Sequence, residues 1–459
     1  MRERDINITP VGGIRPPLYL QQENLLGISG QLQRDRRPRA KRELLKDLEV
    51  VRLSDDIVQD YCDLNAWRIQ EGMTPLLDVM VVKPPAQVKP IPPKVVLRTM
   101  HQNYERIENL GLHNVSSEWE VGRANLLAAI TFQEEETRVM GGGKPLPASK
   151  FFPKVVGKEL GYTDRDELLE LREDLFRLFK SEISYFDESW LSSTRTAFHV
   201  FQQYTKIDSQ EKIERIFNSY YQPFKSDLAN FIGIDLTDLD VNLKWTESPE
   251  FFMMLEQVTP NENILEANWH RKHRKHWTRG RIDYYTKHEP THFVLPHSIK
   301  LAIERGEIDK IAGFFPMPSP SSFQMEGLAQ TVTDYIHPPV TTFGQIAAKV
   351  YRLEKRALNN AMYDMEIDGI PPQSAILSLR SFMPTQTTAE IEQKVEAMRK
   401  KPFDRAFLGS IYGESDGFMM SIKKATTPSQ QQEIFRSLSA KPMTPQQMEV
   451  TVREKLKVA

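Results

Sequence analysis

The sequence predicts a mainly α fold in which proline-rich extended straps join several helical units, preceded by an extended N-terminal arm. Three observations predict it: apolar residues recur at helical spacing over long stretches, prolines cluster between those stretches, and Ser or Thr caps stand at helix starts. Apolar residues make up 40% of the 459 residues and charged residues 27%. This composition supports a sizeable core, spread over roughly two to four domains.

The first part of the chain alternates between breakers and helical stretches. Residues 1–38 are predicted to form the extended arm, because glycines and prolines interrupt each apolar run before it reaches helical length. Residues 39–140 are predicted to be a helical region, which a proline-rich linker at 75–93 divides. Its first helix is expected in two pieces, with Ser54 capping the second.

Residues 154–260 are predicted to form a helical domain. Ser209 is expected to open a helix that stops before Pro223, because proline lacks the backbone donor that a helix interior needs. Ser248 is expected to open another helix that stops before Pro260. The middle of the chain is therefore predicted to be helical.

The C-terminal half begins with residues 261–340, a basic segment rich in His, aromatic residues and Pro, in which a small sheet around 290–320 is conceivable. Residues 341–459 are predicted to be a C-terminal helical domain that starts with a long amphipathic helix at 342–366. Three later helix starts share a capping-box pattern: Thr387 with Glu390, Thr427 with Gln430, and Thr444 with Gln447.

Charge and cysteine content restrict the environment of the protein. Sixty basic and 62 acidic residues give a formal charge of −2, so no global field attracts nucleic acid or an acidic membrane. The single cysteine, Cys62, cannot form an internal disulfide and is expected to be a small buried side chain. No apolar run reaches membrane-spanning length. An intracellular reducing compartment, an organelle or a virion is expected, with no transmembrane segment.

The most unusual stretch is residues 268–281, which holds six Lys or Arg, three His and two Trp without a carboxylate. Such a segment predicts contact with RNA or DNA phosphates, with indole rings stacking on bases. The alternative is a solvated basic face that pairs with an acidic protein surface. The predicted contact residues are Trp269, Arg271, Lys272, Arg274, Lys275, Trp277, Arg279 and Arg281, together with a second patch at Arg34, Arg36, Arg37 and Arg39.

Six of the ten histidines fall within residues 270–297. A metal site there is not expected for His270, His273 and His276, because neighbouring cations repel an ion. The later three, His288, His292 and His297, have looser spacing and could lie in a loop that binds a metal ion, with Asp283 or Glu289 as a fourth ligand. The cluster is more simply expected to add pH-dependent positive charge to the basic segment.

No catalytic residue, metal site or cofactor is predicted, since no Gly-x-Ser-x-Gly elbow, His-Glu-x-x-His helix or paired-cysteine zinc site is recognised. We expect a structural or scaffolding subunit of a large assembly, foremost a ribonucleoprotein such as an organellar ribosome, whose basic patches contact RNA. Its partners would be neighbouring protein subunits and RNA. A virion or other protein-only scaffold is the alternative, and an enzyme that uses the His-rich region is the least favoured.

Overall fold

The protein is mainly α, as predicted. The computed structural model describes residues 38–71, 73, 77–80, 91–111, 116–182, 198, 202, 205–247, 253–259, 262–336 and 340–457. Residues 1–37 of the predicted arm, and most of the predicted linker at 75–93, lie outside the described residues. Within the described ranges, no helix combines the length and apolar character that a bilayer crossing requires.

The N-terminal elements are α1 (Pro38–Gln70), β1 (Leu77–Met80), α2 (Pro93–Leu110), α3 (Ser117–Met140), α4 (Ala148–Val155) and α5 (Arg165–Glu182). The first three helices bury one apolar cluster, in which Leu53, Ile57 and Cys62 pack near Trp119. The expected break at Ser54 is wrong. Ser54 lies inside α1, where its buried hydroxyl donates to a carboxylate oxygen of Asp309 at 3.1 Å, so it anchors the helix and caps nothing.

The middle region contains α6 (Gln210–Ile232), β2 (Val241–Thr246), β3 (Met253–Thr259) and β4 (Glu262–Asn268). The strands form a sheet in the order β2-β4-β3, with β2 parallel and β3 antiparallel to β4. Two expectations are wrong here. The helix from Ser209 continues through Pro223, because the buried faces on either side of it stay packed. The helix expected before Pro260 is instead strand β3, whose backbone pairs with β4.

The C-terminal half contains α7 (Arg271–Arg274), α8 (Arg279–Thr291), α9 (Val294–Glu304), a 3₁₀ turn (Lys310–Gly313), β5 (Phe314–Pro316), α10 (Pro320–Ile336), α11 (Thr342–Glu366), α12 (Pro372–Leu379), α13 (Thr388–Lys400), α14 (Pro402–Ala406), a π-helical segment (Phe407–Ile411), α15 (Tyr412–Ala425), α16 (Pro428–Ala440) and α17 (Pro445–Lys457). The long helix predicted at 342–366 is confirmed. So are the three capping boxes. Between 290 and 320 the described strand is β5, which pairs antiparallel with β1.

Helix α8 packs against both α10 and α11 in the centre of this half. The start of α11 is fastened to α8, because a carboxylate oxygen of Asp283 accepts from the Thr341 backbone N–H at 2.8 Å and from its hydroxyl at 2.6 Å. Gly280 and Gly344 lie at this crossing, where a Cβ on either residue would collide with the facing helix. The two helices therefore approach closely, and their facing side chains share one buried space.

Candidate metal centre

Two imidazoles meet at the C-terminal end of α8. His288 and His292 are separated by four positions, which places both side chains on one face of a helical turn. Their Nε2 atoms are 3.2 Å apart, and both side chains are buried. Two nitrogens bound tetrahedrally at about 2.0–2.1 Å from one zinc ion would lie about 3.3–3.4 Å apart. The pair thus has the spacing of two ligands to one ion.

Glu326 supplies a third donor from α10. Its Oε1 lies 3.8 Å from the Nε2 of His292, and its side chain is buried. Gln330, one turn later on the same helix, donates its amide N–H to the other oxygen, Oε2, at 3.3 Å. Two histidines and one glutamate form a donor set of catalytic zinc sites, in which the fourth position stays open to water or substrate.

Tyr284 orients the first imidazole. It lies one turn before His288 on α8, its ring stacks on the imidazole with centroids 5.1 Å apart, and its hydroxyl is 3.2 Å from Nδ1. When Nδ1 carries the proton and donates it to this hydroxyl, the lone pair of Nε2 is directed at His292. Ligating histidines are commonly fixed by such an outer hydrogen bond, which sets both tautomer and ring orientation.

Glu289 lies between the two histidines in sequence and close to them in space. Ligand atoms of His288, Glu289 and His292 all lie within 4.8 Å of one another. Burial and the neighbouring charge of Glu326 raise the pKa of Glu289 to about 8, while Lys355 acts in the opposite direction. A carboxylate in this position can exchange a proton with a molecule held at the open ligand position.

Burial keeps His276, His288 and His292 neutral near pH 7, which contradicts the pH-dependent positive charge expected of these three side chains. Burial lowers the pKa of His292 to about 3, and Lys355 contributes in the same direction. Burial also lowers the pKa of His288 well below its ordinary value and that of His276 to about 3. Neutral imidazoles are the form that binds a metal ion. Burial therefore prepares these side chains for ligation and removes them from any charged patch.

The sequence carries a clear signal for this site, and the expectation that the chain has no His-Glu-x-x-His helix is wrong. Residues 288–292 read His-Glu-Pro-Thr-His, the His-Glu-x-x-His pattern of zinc-dependent peptidases. The expectation of a loop at these histidines is wrong, because residues 279–291 form α8 and Pro290 lies in its last turn. Glu326 belongs to no short motif and comes from a separate helix, so only the fold brings it to the pair.

The other residues considered for a metal lie elsewhere. His297 is on α9, with its Nε2 2.9 Å from the carbonyl oxygen of Asp235. Asp283 forms a buried ion pair with Lys287 and holds the start of α11. His270 caps the short helix α7 by accepting from the Lys272 backbone N–H. Of the six clustered histidines, the structure brings His288 and His292 together as a ligand pair.

The predicted nucleic-acid contacts are partly exposed. The side chains of Arg271, Lys272, Arg274, Lys275 and Arg279 are exposed, and that of Arg281 is half-buried. Trp277 is buried and donates its indole N–H to the Asn268 carbonyl at 2.9 Å, so its ring is not exposed for stacking on a base. Trp269 is half-buried, with the Arg274 guanidinium 5.0 Å from its ring centre. Arg34, Arg36 and Arg37 lie outside the described residues, as does the side chain of Arg39, which belongs to α1.

Comparison with known proteins gives little further information. No protein-family model matches the chain, and no curated protein matches it. One similar solved structure is described as the crystal structure of the putative lipoprotein from Colwellia psychrerythraea, with 10% sequence identity and a TM-score of 0.48. The matched region covers 79% of this chain and 60% of the chain of that protein. A likeness at this level transfers no function from one protein to the other.

Proposed function

We propose that this protein is a zinc-dependent hydrolase that cleaves peptide bonds. The observation that carries the proposal is the His288–His292 pair, whose Nε2 atoms are 3.2 Å apart on a helix with the His-Glu-x-x-His pattern. Glu326 completes a two-histidine, one-carboxylate donor set that suits zinc. The pattern is typical of peptidases, in which the glutamate between the histidines acts as general base.

The chain's own residues would move the proton that peptide hydrolysis requires. A zinc ion held by this donor set would polarise the scissile carbonyl and acidify a water molecule. Glu289 would accept a proton from the attacking water as its oxygen bonds to the carbonyl carbon. It would then deliver that proton to the leaving nitrogen as the C–N bond breaks. Water is thus divided between the two products, and Glu289 returns to its starting state.

Zinc content is the first test of the proposal. We expect the zinc-loaded, dialysed protein to retain one zinc ion per chain, as measured by elemental analysis. The zinc content should fall strongly in each of three variants, because each removes one of the three proposed ligands: His288→Ala, His292→Ala and Glu326→Ala. His297→Ala is the matched control, since it removes another buried histidine of the same region. Stoichiometric zinc in the His288→Ala/His292→Ala double variant would contradict the assignment, as would zinc retention with no cleavage of any member of a peptide library.

A structural role that contacts RNA is the second candidate, and the exposed cations at 271–279 favour it. Replacing Arg271, Lys272, Arg274 and Lys275 by Ala should weaken binding to single-stranded RNA and flatten its salt dependence by about three units of log–log slope. The control is Arg399→Ala/Lys400→Ala, which removes exposed cations from α13. Equal salt slopes for the parent protein and the fourfold variant would remove this candidate.

A further inference from the structure

A cavity separate from the candidate metal centre lies between the start of α8 and one face of α11. It encloses about 460 Å³, part of which is open to solvent, and this volume is typical of small-molecule binding sites. The proposed zinc ligands and Glu289 are not among its described lining residues. Helix α11 forms one wall through six residues at three- and four-residue spacing: Phe343, Ile346, Ala347, Val350, Tyr351 and Glu354.

The apolar part of the cavity can hold a large side chain. Ile346 and Val350 are buried, and Phe198 lines the cavity with a ring that stacks on Phe179, with centroids 4.1 Å apart. An apolar group that enters this space leaves water, which stabilises binding by roughly 25 cal/mol for each Å² of apolar surface buried. Aromatic side chains bury about 150–250 Å² each, so they gain the most from such a wall.

Two opposite charges line the polar part of the same cavity. The guanidinium carbon of Arg281 lies 5.7 Å from the centre of the Tyr351 ring. Glu354 is three positions after Tyr351 on the same helical face, and its side chain is buried. The Tyr351 hydroxyl accepts from the Tyr285 hydroxyl at 3.2 Å, which helps to fix this ring. The cation and the anion are therefore both neighbours of one side chain.

The protein partners of Glu354 leave room for a ligand. Its carboxylate accepts from the Thr385 hydroxyl and, at 3.4 Å, from the Gln386 amide, while Lys394 Nζ lies 4.0 Å from its Oε2. A carboxylate offers about four acceptor positions, and the Arg281 guanidinium carries five N–H donors. A ligand with one charge would be attracted by one of these two groups and repelled by the other. A ligand that carries both charges is attracted by both.

We propose that this cavity binds a free α-amino acid with a large apolar side chain. Arg281 binds the α-carboxylate, Glu354 binds the α-ammonium, and the wall from α11 holds the side chain. Hydrogen bonds between ionised groups are the stronger polar contacts. A longer peptide carries its two terminal charges on different residues, so the single amino acid is the form that presents both charges beside one side chain. The assignment does not depend on the proposed peptidase function.

The test is calorimetry on the full chain with four ligands. L-phenylalanine carries both charges, its N-acetyl derivative lacks the ammonium, its amide lacks the carboxylate, and glycine lacks the side chain. We expect L-phenylalanine to bind about 10- to 100-fold more tightly than either derivative, the difference that a hydrogen bond between charged groups makes. Glycine should bind at least about 100-fold more weakly, because it buries no aromatic surface. Equal affinity for L-phenylalanine and any of the other three would overturn the proposal, as would the absence of binding at millimolar concentration.

Two variants assign each charge of the ligand to its partner. Arg281→Met should reduce the preference for L-phenylalanine over its amide to within about threefold, and Glu354→Gln should do the same for the preference over the N-acetyl derivative. The matched controls, Arg380→Met and Glu392→Gln, change exposed residues outside the cavity and should keep both preferences. A folded Arg281→Met or Glu354→Gln variant with unchanged preferences would overturn the assignment of that charge.

A variant of the metal centre separates this cavity from the proposed zinc site. His288→Ala/His292→Ala should bind L-phenylalanine with the affinity of the parent protein, because neither histidine lines the cavity. Loss of binding in this variant, with the circular dichroism of the parent retained, would overturn the placement of the ligand. If Arg281→Met or Glu354→Gln fails to fold, the comparison of the four ligands on the parent protein decides.

Discussion

Replacing Glu289 by Gln is expected to lower kcat/KM for peptide hydrolysis by about 10³-fold, because general-base catalysis typically contributes between about 10² and 10⁴. The amide keeps the size of the side chain but cannot accept a proton from water. Both imidazoles and Glu326 remain, so the variant should still hold one zinc ion per chain. The measurement is a fluorogenic peptide assay run beside elemental analysis of the same sample.

The control for this variant is Glu307→Gln, which makes the same chemical change at an exposed position. Its activity should equal that of the parent protein. Loss of zinc from Glu289→Gln would make the glutamate a ligand, which the proposed roles do not allow. Full activity in Glu289→Gln would remove it as the base and with it the proposed mechanism.

Replacing Asp416 by Ala is expected to reduce the free energy of unfolding by about 3 kcal/mol, the low end of the cost of breaking a buried ion pair, because Arg352 keeps Asp334 and Arg356 keeps Glu167 as partners. Asp416 on α15 is buried, and its two carboxylate oxygens accept from Arg352 Nε at 2.8 Å and from Arg356 Nε at 2.6 Å. Burial opposes ionisation of Asp416, but the two guanidiniums outweigh it and lower its pKa. Urea denaturation followed by circular dichroism measures the effect.

Two further variants test the reason for that effect. Glu392→Ala, an exposed carboxylate on α13, should change the free energy of unfolding by less than about 0.5 kcal/mol. The triple variant Asp416→Leu/Arg352→Met/Arg356→Met replaces Asp416 and both guanidiniums with apolar side chains and should recover much of the lost stability, although it also removes the contacts of Arg352 with Asp334 and of Arg356 with Glu167. A single variant as stable as the parent would show that Asp334 and Glu167 are sufficient partners for the two guanidiniums.

Local sequence signals predicted the C-terminal helices well, because caps and apolar spacing act within a few residues. Helix α11 and the capping box at Thr387 are of this kind. Prediction failed where contacts between residues far apart in sequence determine the local structure. Ser54 has the chemistry of a cap, but a carboxylate from a remote turn holds it inside α1. Strand β3 exists through backbone pairing with β4, which the isolated segment does not reveal.

The candidate metal centre also combines residues that a local motif predicts with a residue that only the fold brings to the site. The His-Glu-x-x-His pattern at 288–292 was sufficient to indicate the two proposed ligands and the proposed base. Glu326 could not be predicted, because it belongs to no short motif and comes from a different helix. Its proposed role depends on the packing of α10 against α8, which no short segment determines.

Helix α11 contacts the surroundings of the candidate metal centre with one face and the buried Asp416 cluster with another. Tyr351 stacks on Tyr284 beside the candidate metal centre, whereas Arg352 and Arg356 on the same helix are tied to Asp416 in the core. A small rotation of the helix about its own axis would therefore disturb both faces at once. Tyr284 orients His288, so we expect thermal release of zinc and loss of the folded core to occur in the same transition.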